Sequence, residues 1–204
     1  FLATVTASIL LTTPRNPSSM PEKSKAFQFI KDLVSTIAIL LIIIGVGIAA
    51  TGCWPFMVAV ESGSMQPNLM PGDVVFLMHP DRVGIVTWEE GKQNGYKSFG
   101  DYGDVIVYYP NGNGKPVIHR AIAFVNEGER IPTLTKGALT YSENTALTSG
   151  YITQGDANRV SDQLALMRIS GEIQQVLPVQ KEWIIGVAKF KIPLIGYFRL
   201  LIPI

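Results

Sequence analysis

The chain contains an uncharged stretch that is long enough to cross a lipid bilayer. No charged side chain occurs in residues 33–60, and residues 33–50 are apolar almost throughout. A helix of about 20 such residues spans the hydrocarbon core of a membrane. The stretch therefore predicts a transmembrane helix near the N-terminus, which we place over residues 31–54.

A cleaved secretory signal peptide is the alternative interpretation of this pattern. Signal peptides have apolar cores of about 7–15 residues before a cleavage site with small residues, and Ala49-Ala50 would provide such a site. The uncharged stretch is longer than such a core, which favours a retained helix. Gly52 and Pro55 are expected to end the helix. Trp54 would then lie at the membrane interface, where aromatic rings are enriched.

Basic residues indicate the orientation of this helix. Lys and Arg residues precede it, whereas none occurs between Val60 and Asp81; the preceding ones are Arg15, Lys23, Lys25 and Lys31. Because Lys and Arg accumulate on the cytoplasmic side of membrane helices, we expect a single-pass protein of the cell membrane. Its N-terminus would be cytoplasmic and the chain beyond the helix extracytoplasmic.

The remaining chain divides into segments around this helix. Residues 1–30 are interpreted as a leader and a cytoplasmic basic segment, and residues 55–191 as an extracytoplasmic β domain. Residues 192–204 are apolar again but carry two prolines and an arginine, so we expect a membrane-associated segment. Met20 and the lysines after it resemble the start of a membrane protein. Residues 1–19 are therefore predicted to be a dispensable leader or an upstream extension.

Composition limits the classes of partner. The net charge is +1 and no basic stripe occurs, which argues against a nucleic-acid partner. Charged residues make up only 16% of the chain and hydrophobic residues 47%, an apolar balance for a soluble protein. Cys53 is the only cysteine, so no intrachain disulfide can form, and we interpret it as a small buried hydrophobic residue.

Beyond the helix, the sequence predicts a mainly β fold. Four short segments are rich in Val, Ile, Phe and Tyr: residues 73–78, 104–109, 116–124 and 183–190. Turn-forming stretches such as Asn111-Gly112-Asn113-Gly114 separate them. The pattern favours a partly open, antiparallel, β-barrel-like domain. The polar, glycine-rich segment 89–103 is expected to be an exposed loop.

Ser64 lies in a glycine-flanked turn that follows the helix, and it is a candidate nucleophile. A serine hydroxyl is a weak nucleophile and needs a base to take its proton. The chain has two histidines, His79 and His119. His79 precedes a proline at a strand end, which is typical of a solvated turn residue. His119 shares a strand face with Val117 and Ala121, so it is either a core residue or the base for Ser64.

An acidic turn supplies the third candidate group. Asp156 and Asp162 flank Asn158 within Gly155-Asp156-Ala157-Asn158-Arg159-Val160-Ser161-Asp162. Asp156 and Asn158 are typical of an Asx turn, in which the side chain bonds its own backbone. Asp162 has apolar neighbours and does not fit a turn as well. A carboxylate of this kind can orient a catalytic histidine and stabilise its imidazolium form.

The same turn as Ser64 offers donors for an oxyanion hole. The Ser64 N–H is one, and the Ser62 hydroxyl is a second. The spacing fits equally well an interpretation of Ser62 as an ordinary turn serine. Ser62 and Gln66 stand where a Gly-x-Ser-x-Gly elbow requires glycines. The α/β-hydrolase elbow is therefore a poor match.

Four ordered motifs together resemble type I signal peptidases. They are Ser62-Gly63-Ser64-Met65-Gln66-Pro67 with Pro71-Gly72-Asp73, Tyr102-Gly103-Asp104-Val105-Ile106-Val107-Tyr108-Tyr109-Pro110, Val117-Ile118-His119-Arg120, and Gly155-Asp156-Ala157-Asn158 with Asp162. His119 stands where bacterial members carry a lysine, as in the endoplasmic-reticulum and archaeal branch. Ala157 departs from that branch's Gly-Asp-Asn-Asn motif but replaces neither acid. The resemblance covers roughly residues 31–196.

The resemblance implies a membrane-bound serine endopeptidase that removes signal peptides from exported preproteins and cuts after small residues. Ser64 would be the nucleophile, His119 the general base, Asp162 its orienting acid and Asp156 a supporting acid. The strand that begins at Asp73 would bind the extended substrate by β-addition.

The same resemblance implies no metal and no organic cofactor. Besides preproteins, the expected partners are the lipid bilayer and a translocon nearby, without nucleic acid. The compact chain with a polar insertion after Val83 favours an archaeal source.

Two other interpretations stay open at the level of sequence. The first is a non-catalytic anchored β scaffold, which the joint presence of Ser64, His119 and Asp162 argues against. The second is a Ser–Lys peptidase with Lys115 or Lys136 as base. Both lysines lie beside glycine or proline in predicted turns, where solvation favours the protonated ammonium.

Overall fold

The computed structural model describes residues 22–193, which form one long helix and a mainly β domain. The helices are α1 (Glu22–Thr51), α2 (Pro80–Val83) and α3 (Trp88–Asn94). The strands are β1 (Met57–Ala59), β2 (Val74–Met78), β3 (Lys97–Ser98), β4 (Asp101–Tyr102), β5 (Val105–Tyr108), β6 (Val117–Val125), β7 (Arg130–Thr135), β8 (Ala138–Thr145), β9 (Gly150–Gln154), β10 (Leu166–Ile169), β11 (Glu172–Gln175) and β12 (Ile184–Ile192). The predicted leader (1–19) and most of the apolar C-terminal segment lie outside the described residues.

Helix α1 contains the predicted membrane span. Its segment Lys25–Thr51 is long and apolar enough to cross a membrane, as judged by length and composition. The helix ends at Thr51 because Gly52 adopts a φ of +78°, a left-handed conformation that glycine adopts without strain. Gly52 is thus the terminator that the sequence indicates. The chain divides into two units within this helix, the first ending at Gly45 and the second beginning at Val46.

The last turn of α1 is attached to the β domain through its carbonyl groups. Arg82 Nη1 donates to the carbonyl oxygens of Ala49 and Ala50 at 2.8 and 2.9 Å. The His79 N–H donates to the Thr51 carbonyl at 2.9 Å. These bonds satisfy carbonyls that have no partner within a helix. His79 itself caps α2 and is partly exposed, as expected of a turn residue.

A curled antiparallel sheet forms the body of the domain, and it confirms the predicted fold class. Its strand order is β1-β2-β12-β5-β6-β9. The four predicted strands correspond to β2, β5, β6 and β12, with ends that differ by at most two residues. Three separate two-stranded hairpins (β3–β4, β7–β8 and β10–β11) complete the described strands.

The expectation of an exposed loop over residues 89–103 is wrong. This segment includes most of α3 and the hairpin β3–β4. Helix α3 begins with a capping box, in which Thr87 Oγ1 accepts from the Glu90 N–H at 3.2 Å and the Glu90 carboxylate accepts from the Thr87 N–H at 2.8 Å. Trp88 is only 3% exposed and packs against Ile122 and Ile131 of the β domain. Burial of the Trp88 indole therefore fixes the segment 89–103 against the β domain.

Two buried carboxylates fasten neighbouring loops to β12. Asp104 accepts from Lys189 Nζ at 3.0 Å, from the Tyr96 hydroxyl at 2.8 Å and from the Val86 N–H at 2.9 Å. Asp73 accepts from Lys191 Nζ at 3.0 Å. Cys53 is 6% exposed in the adjoining apolar core, which confirms the expectation that it is a buried hydrophobic residue.

Candidate active site

Ser64 lies in a loop that is fixed at both ends. The loop leaves β1 and returns to β2, and its ends are joined where the Val60 N–H donates to the Asp73 carbonyl at 2.8 Å. Met65 and Leu69 are fully buried and anchor the loop in the core. Ser64 itself is half-buried at the surface of the domain. The apolar anchors therefore determine where the hydroxyl stands.

His119 lies between Ser64 and Asp162. Its Nε2 is 2.9 Å from Ser64 Oγ, and its Nδ1 is 2.7 Å from Asp162 Oδ2. The imidazole is only 4% exposed and Asp162 1% exposed. An ionised carboxylate can only accept, so Nδ1 carries the hydrogen and Nε2 accepts from the Ser64 hydroxyl. The three residues singled out in the sequence thus lie in one hydrogen-bonded row.

Asp162 is held by two hydroxyl groups that sequence reasoning missed. Its Oδ2 is 2.9 Å from the Tyr108 hydroxyl and 2.7 Å from Thr153 Oγ1. Burial raises the pKa of Tyr108 well above 10, and the Asp162 charge raises it further. The phenol therefore stays a donor. The available signal was a Tyr and a Thr inside apolar strands, since buried hydroxyls need partners.

Asp156 belongs to a different contact network from His119. Its carboxylate accepts from Arg120 Nε at 2.8 Å and Nη2 at 2.7 Å, and from Asn68 Nδ2 at 2.7 Å. Arg120 is fully buried. Its guanidinium also donates to a group of backbone carbonyls, those of Ser98, Phe99, Asp101, Tyr102 and Gly103. Asp156 therefore connects the serine loop, through Asn68, to strand β6.

The acidic turn also contacts the serine loop directly. The Ala157 N–H donates to the Ser64 carbonyl at 2.8 Å. A Cβ at Gly155 would lie 2.6 Å from that carbonyl oxygen and 2.9 Å from His119 Nε2. Real Cβ atoms essentially never make contacts this short. Glycine is therefore required where the turn passes the Ser64–His119 hydrogen bond.

The second candidate oxyanion donor, the Ser62 hydroxyl, is close to the candidate nucleophile. Ser62 Oγ lies 3.1 Å from Ser64 Oγ, and its side chain is exposed. The hydroxyl is therefore near the point at which an oxyanion would form. Between residues 22 and 193, no three His, Cys, Asp or Glu side chains are grouped so as to hold a metal ion.

A cleft of about 730 Å³ opens beside Ser64 and His119. One wall comes from the chain around β1 and the other from the start of β6; the lining residues are Pro55, Met57, Val58, Ala59, Glu61, Ser62, Ser64, Val107, Lys115, Pro116, Val117, Ile118, His119 and Met167. In the described part of the chain, β1 pairs with β2 alone, and residues 117–119 pair with β5 alone. Each wall thus offers a strand edge to an extended peptide.

The expected role of the strand after Asp73 in β-addition is wrong. This strand, β2, is bonded to β1 on one side and to β12 on the other, so it has no free edge to offer. Strand β1 takes the edge position instead.

The two lysines considered as alternative bases occupy other environments. Lys115 Nζ is 3.4 Å from Glu61 Oε2, and its side chain is 90% exposed. Lys136 lies in the turn between β7 and β8, where its φ is +49°. The nitrogen that bonds Ser64 Oγ belongs to His119.

Removal of the Asp156 charge should destabilise the fold. Asp156→Asn leaves a fully buried guanidinium without its counter-charge, so we expect a loss of about 3–5 kcal/mol in the free energy of unfolding. Chemical denaturation of the detergent-solubilised protein measures it. Glu143→Gln is the matched control, because the Arg130–Glu143 pair is exposed (59% and 86%) and such pairs contribute about 0–1 kcal/mol. Equal stabilities of the two variants would contradict this role of Asp156.

Curated relatives give the family of the chain, although no family model matches it. The chain is 30% identical to the signal peptidase complex catalytic subunit SEC11 of Yarrowia lipolytica over 158 residues, which are 78% of this chain and 69% of that protein. SEC11 of Candida albicans is 30% identical over 146 residues, 72% of this chain and 64% of the relative. SEC11 of Talaromyces marneffei is 27% identical over 159 residues, 78% and 70% of the two chains.

The matched region leaves part of the relatives uncovered. This chain spans 64% of the length of the Candida proteins. The three relatives compared above are fungal and give no support to the expected archaeal source. Identity and coverage against the Yarrowia protein nevertheless agree with the motif resemblance. The chain therefore belongs to the type I signal peptidase family, in the branch of the SEC11 catalytic subunits.

Proposed function

We propose that this chain is a membrane-bound serine endopeptidase that removes N-terminal signal peptides from exported preproteins. The observation that carries the proposal is the row Ser64–His119–Asp162, with hydrogen bonds of 2.9 and 2.7 Å, at the edge of a cleft. Membership of the SEC11 branch supports the choice of substrate class. We assign the catalysis to residues 55–191 and the membrane anchor to residues 31–54.

Peptide cleavage on this geometry proceeds through an acyl-enzyme. Ser64 Oγ bonds to the carbonyl carbon of the substrate while its proton passes to His119 Nε2. The C–N bond then breaks, and the same proton moves from Nε2 to the leaving amine, which leaves an ester on Ser64. Water, deprotonated by His119, hydrolyses the ester and restores the hydroxyl. Asp162 stabilises the imidazolium that forms in each half.

The negative charge on the carbonyl oxygen needs donors in both halves of the reaction. The Ser64 N–H and the Ser62 hydroxyl are assigned to it. A single donor of this kind is worth about 2.7–4 kcal/mol of transition-state stabilisation in other enzymes. The 3.1 Å between the two serine oxygens supports the assignment of Ser62.

We assign the binding of the residues before the cut bond to the cleft. An extended peptide seated between the edge of β1 and the start of β6 would continue the strand pairing. Alternate side chains of such a peptide point the same way, so the first and third residues before the cut bond face the protein together. Apolar side chains, among them Val58, Val107 and Ile118, line the cleft. We assign to them the pockets for the small residues that the family membership implies.

The proposed location is the membrane that preproteins cross. Helix α1 anchors the chain, and the β domain lies on the extracytoplasmic side, close to the translocon and the bilayer. The lysines before residue 33 support this orientation.

Replacement of Ser64 tests the reaction itself. Ser64→Ala should abolish preprotein cleavage while the protein stays folded, because the hydroxyl is half-buried and contributes little to stability. The assay incubates detergent-solubilised protein with a preprotein, and circular dichroism compares the folded amounts. Cleavage by the alanine variant at the wild-type rate would remove Ser64 as nucleophile. A wild type without activity would favour the non-catalytic scaffold.

Gly155→Ala tests whether the Ser64–His119 distance controls the rate. The added methyl would press on the Ser64 carbonyl and on His119 Nε2. A displacement of about 1 Å costs on the order of a hundredfold in rate, so we expect a loss of that size in kcat. Gly63→Ala is the control, because the three atoms nearest to its methyl all belong to the exposed Gln66 side chain, at 3.3–3.6 Å. Equal rates for both variants would contradict the steric argument.

Cysteine labelling tests the orientation. Cys53 is buried, so a single introduced cysteine can be followed with a membrane-impermeant maleimide. Lys136→Cys, at an exposed turn, should be labelled in intact cells. Lys25→Cys, at the N-terminal end of α1, should be labelled only after lysis. The opposite pattern would reverse the proposed topology.

A further inference from the structure

Three neighbouring strands each direct one polar side chain at the same carboxylate oxygen. Tyr108 ends β5, His119 lies in β6 and Thr153 lies in β9, and β5, β6 and β9 are adjacent in the sheet. Their donor atoms lie 2.9, 2.7 and 2.7 Å from Asp162 Oδ2. The proposed mechanism uses only the contact with His119. The two hydroxyls have no assigned part in it.

We propose that Tyr108 and Thr153 are positioning residues, which act together to hold Asp162 Oδ2 against His119 Nδ1. The inference rests on the proposed function, and it deepens the description of that site. Neither residue lines the cleft, so neither is expected to touch the substrate.

Hydrogen bonds around Gln163 determine the direction of the Thr153 hydroxyl. Gln163 is fully buried, and its Oε1 accepts from the Thr153 N–H at 3.0 Å. The amide nitrogen Nε2 therefore faces Thr153 Oγ1, at 3.3 Å. Because an amide nitrogen only donates, Oγ1 accepts there, and its own hydrogen is available for Asp162. The 2.7 Å contact with Oδ2 is then a Thr153 O–H donated to the carboxylate.

The Tyr108 hydroxyl is directed to the same atom by its surroundings. The ring is fully buried among the residues of an apolar cluster that includes Ile106, Ala121 and Val187. Burial and the neighbouring carboxylate both raise the pKa of Tyr108, so the phenol keeps its proton over the pH range of a peptidase assay. The Tyr108 hydroxyl lies 2.9 Å from Asp162 Oδ2 and also 2.9 Å from Thr153 Oγ1. Because the Thr153 hydrogen is donated to Asp162, the Tyr108 hydrogen has two acceptors, and the charged carboxylate oxygen is the stronger of them. Tyr108 therefore contributes a second charge-assisted hydrogen bond to Asp162.

Both hydroxyls favour one orientation of Asp162. Rotation of the carboxylate about its Cβ–Cγ bond would remove Oδ2 from three donors at once. The same three donors supply hydrogen bonds to a carboxylate that is costly to bury without them. Loss of either hydroxyl should weaken the step that forms the imidazolium, without a change in substrate binding.

The experiment removes the hydroxyls one at a time from the full-length, detergent-solubilised protein. Tyr108→Phe keeps the ring, and Thr153→Val keeps the side-chain volume. A hydrogen bond to a charged group contributes a large free energy compared with a neutral one. We therefore expect kcat to fall about tenfold to a hundredfold in each variant, with KM unchanged. Thr153→Ser restores the hydroxyl and should recover most of the rate. Tyr151→Phe, also in β9, is the control, because Tyr151 makes no hydrogen bond to Asp162 in the structure.

A merely structural role predicts a different pattern, which a double mutant reveals. If the hydroxyls act through Asp162, Tyr108→Phe should have no further effect on kcat once Asp162→Ala is present. If Tyr108→Phe lowers kcat by the same factor in the wild type and in Asp162→Ala, the inference is overturned. It is also overturned if the kcat values of Tyr108→Phe and Thr153→Val lie within twofold of wild type. If Tyr108→Phe does not fold, the comparison of Thr153→Val with Thr153→Ser decides: recovery by serine supports the role, and equal rates overturn it. A wild type that cleaves no preprotein overturns the proposed function as well, whereas an active wild type with fully active hydroxyl variants overturns this inference alone.

Discussion

The ion pair between Arg120 and Asp156 is the interaction on which the arrangement of the site depends. Its guanidinium is fully buried and meets the Asp156 carboxylate through two nitrogens, at 2.8 and 2.7 Å. Successive strand residues point to opposite faces, so Arg120 secures one face of β6 while His119 serves the other. Asp156 also binds Asn68 in the serine loop. One carboxylate thereby fixes the relative positions of β6, the acidic turn and the loop that carries Ser64.

Burial of a charged pair is costly, so its presence calls for a reason other than stability. Desolvation of a buried ion pair often exceeds the attraction between its members unless further hydrogen bonds compensate. Here the remaining guanidinium hydrogens go to backbone carbonyls of residues 98–103. Those carbonyls belong to the short hairpin β3–β4 and to the residues around its turn and end. The pair therefore connects this hairpin, the acidic turn and the serine loop to strand β6. A lysine has one ammonium and cannot reproduce this fork of donors.

The sequence predicted those parts of the fold that depend on local pattern. The uncharged stretch, the four apolar strands and the candidate serine, histidine and acidic turn could all be located in this way, whereas the choice of Asp162 over Asp156 came from the family resemblance. The hairpin β7–β8 was not predicted because β8 is largely exposed and carries no apolar alternation. Helix α3 was not predicted because its formation depends on a capping box and on burial of Trp88 against a distant strand.

The edge position of β1 and the two hydroxyls on Asp162 depend on which strands become neighbours. No local pattern contains that information. The pairing of Arg120 with Asp156 spans 36 positions, so no local pattern predicts it either.

Curvature of the sheet is what brings the nucleophile to its base. Strands β1 and β6 are separated by β2, β12 and β5 in the sheet order. In a flat sheet with a spacing of about 4.8 Å between strands, they would lie roughly 19 Å apart. The loop that follows β1 nevertheless places Ser64 Oγ 2.9 Å from His119 Nε2.

Register shifts occur on both sides of the middle strand β12, towards β2 and towards β5. Such bulges increase the local bend and twist of a strand. Gly186 lies at one of them, where a Cβ would be 2.8 Å from Leu77 Cβ. A side chain there would hold β2 away from β12 and open the curl, so the distance between serine and histidine depends on a glycine two strands away from either.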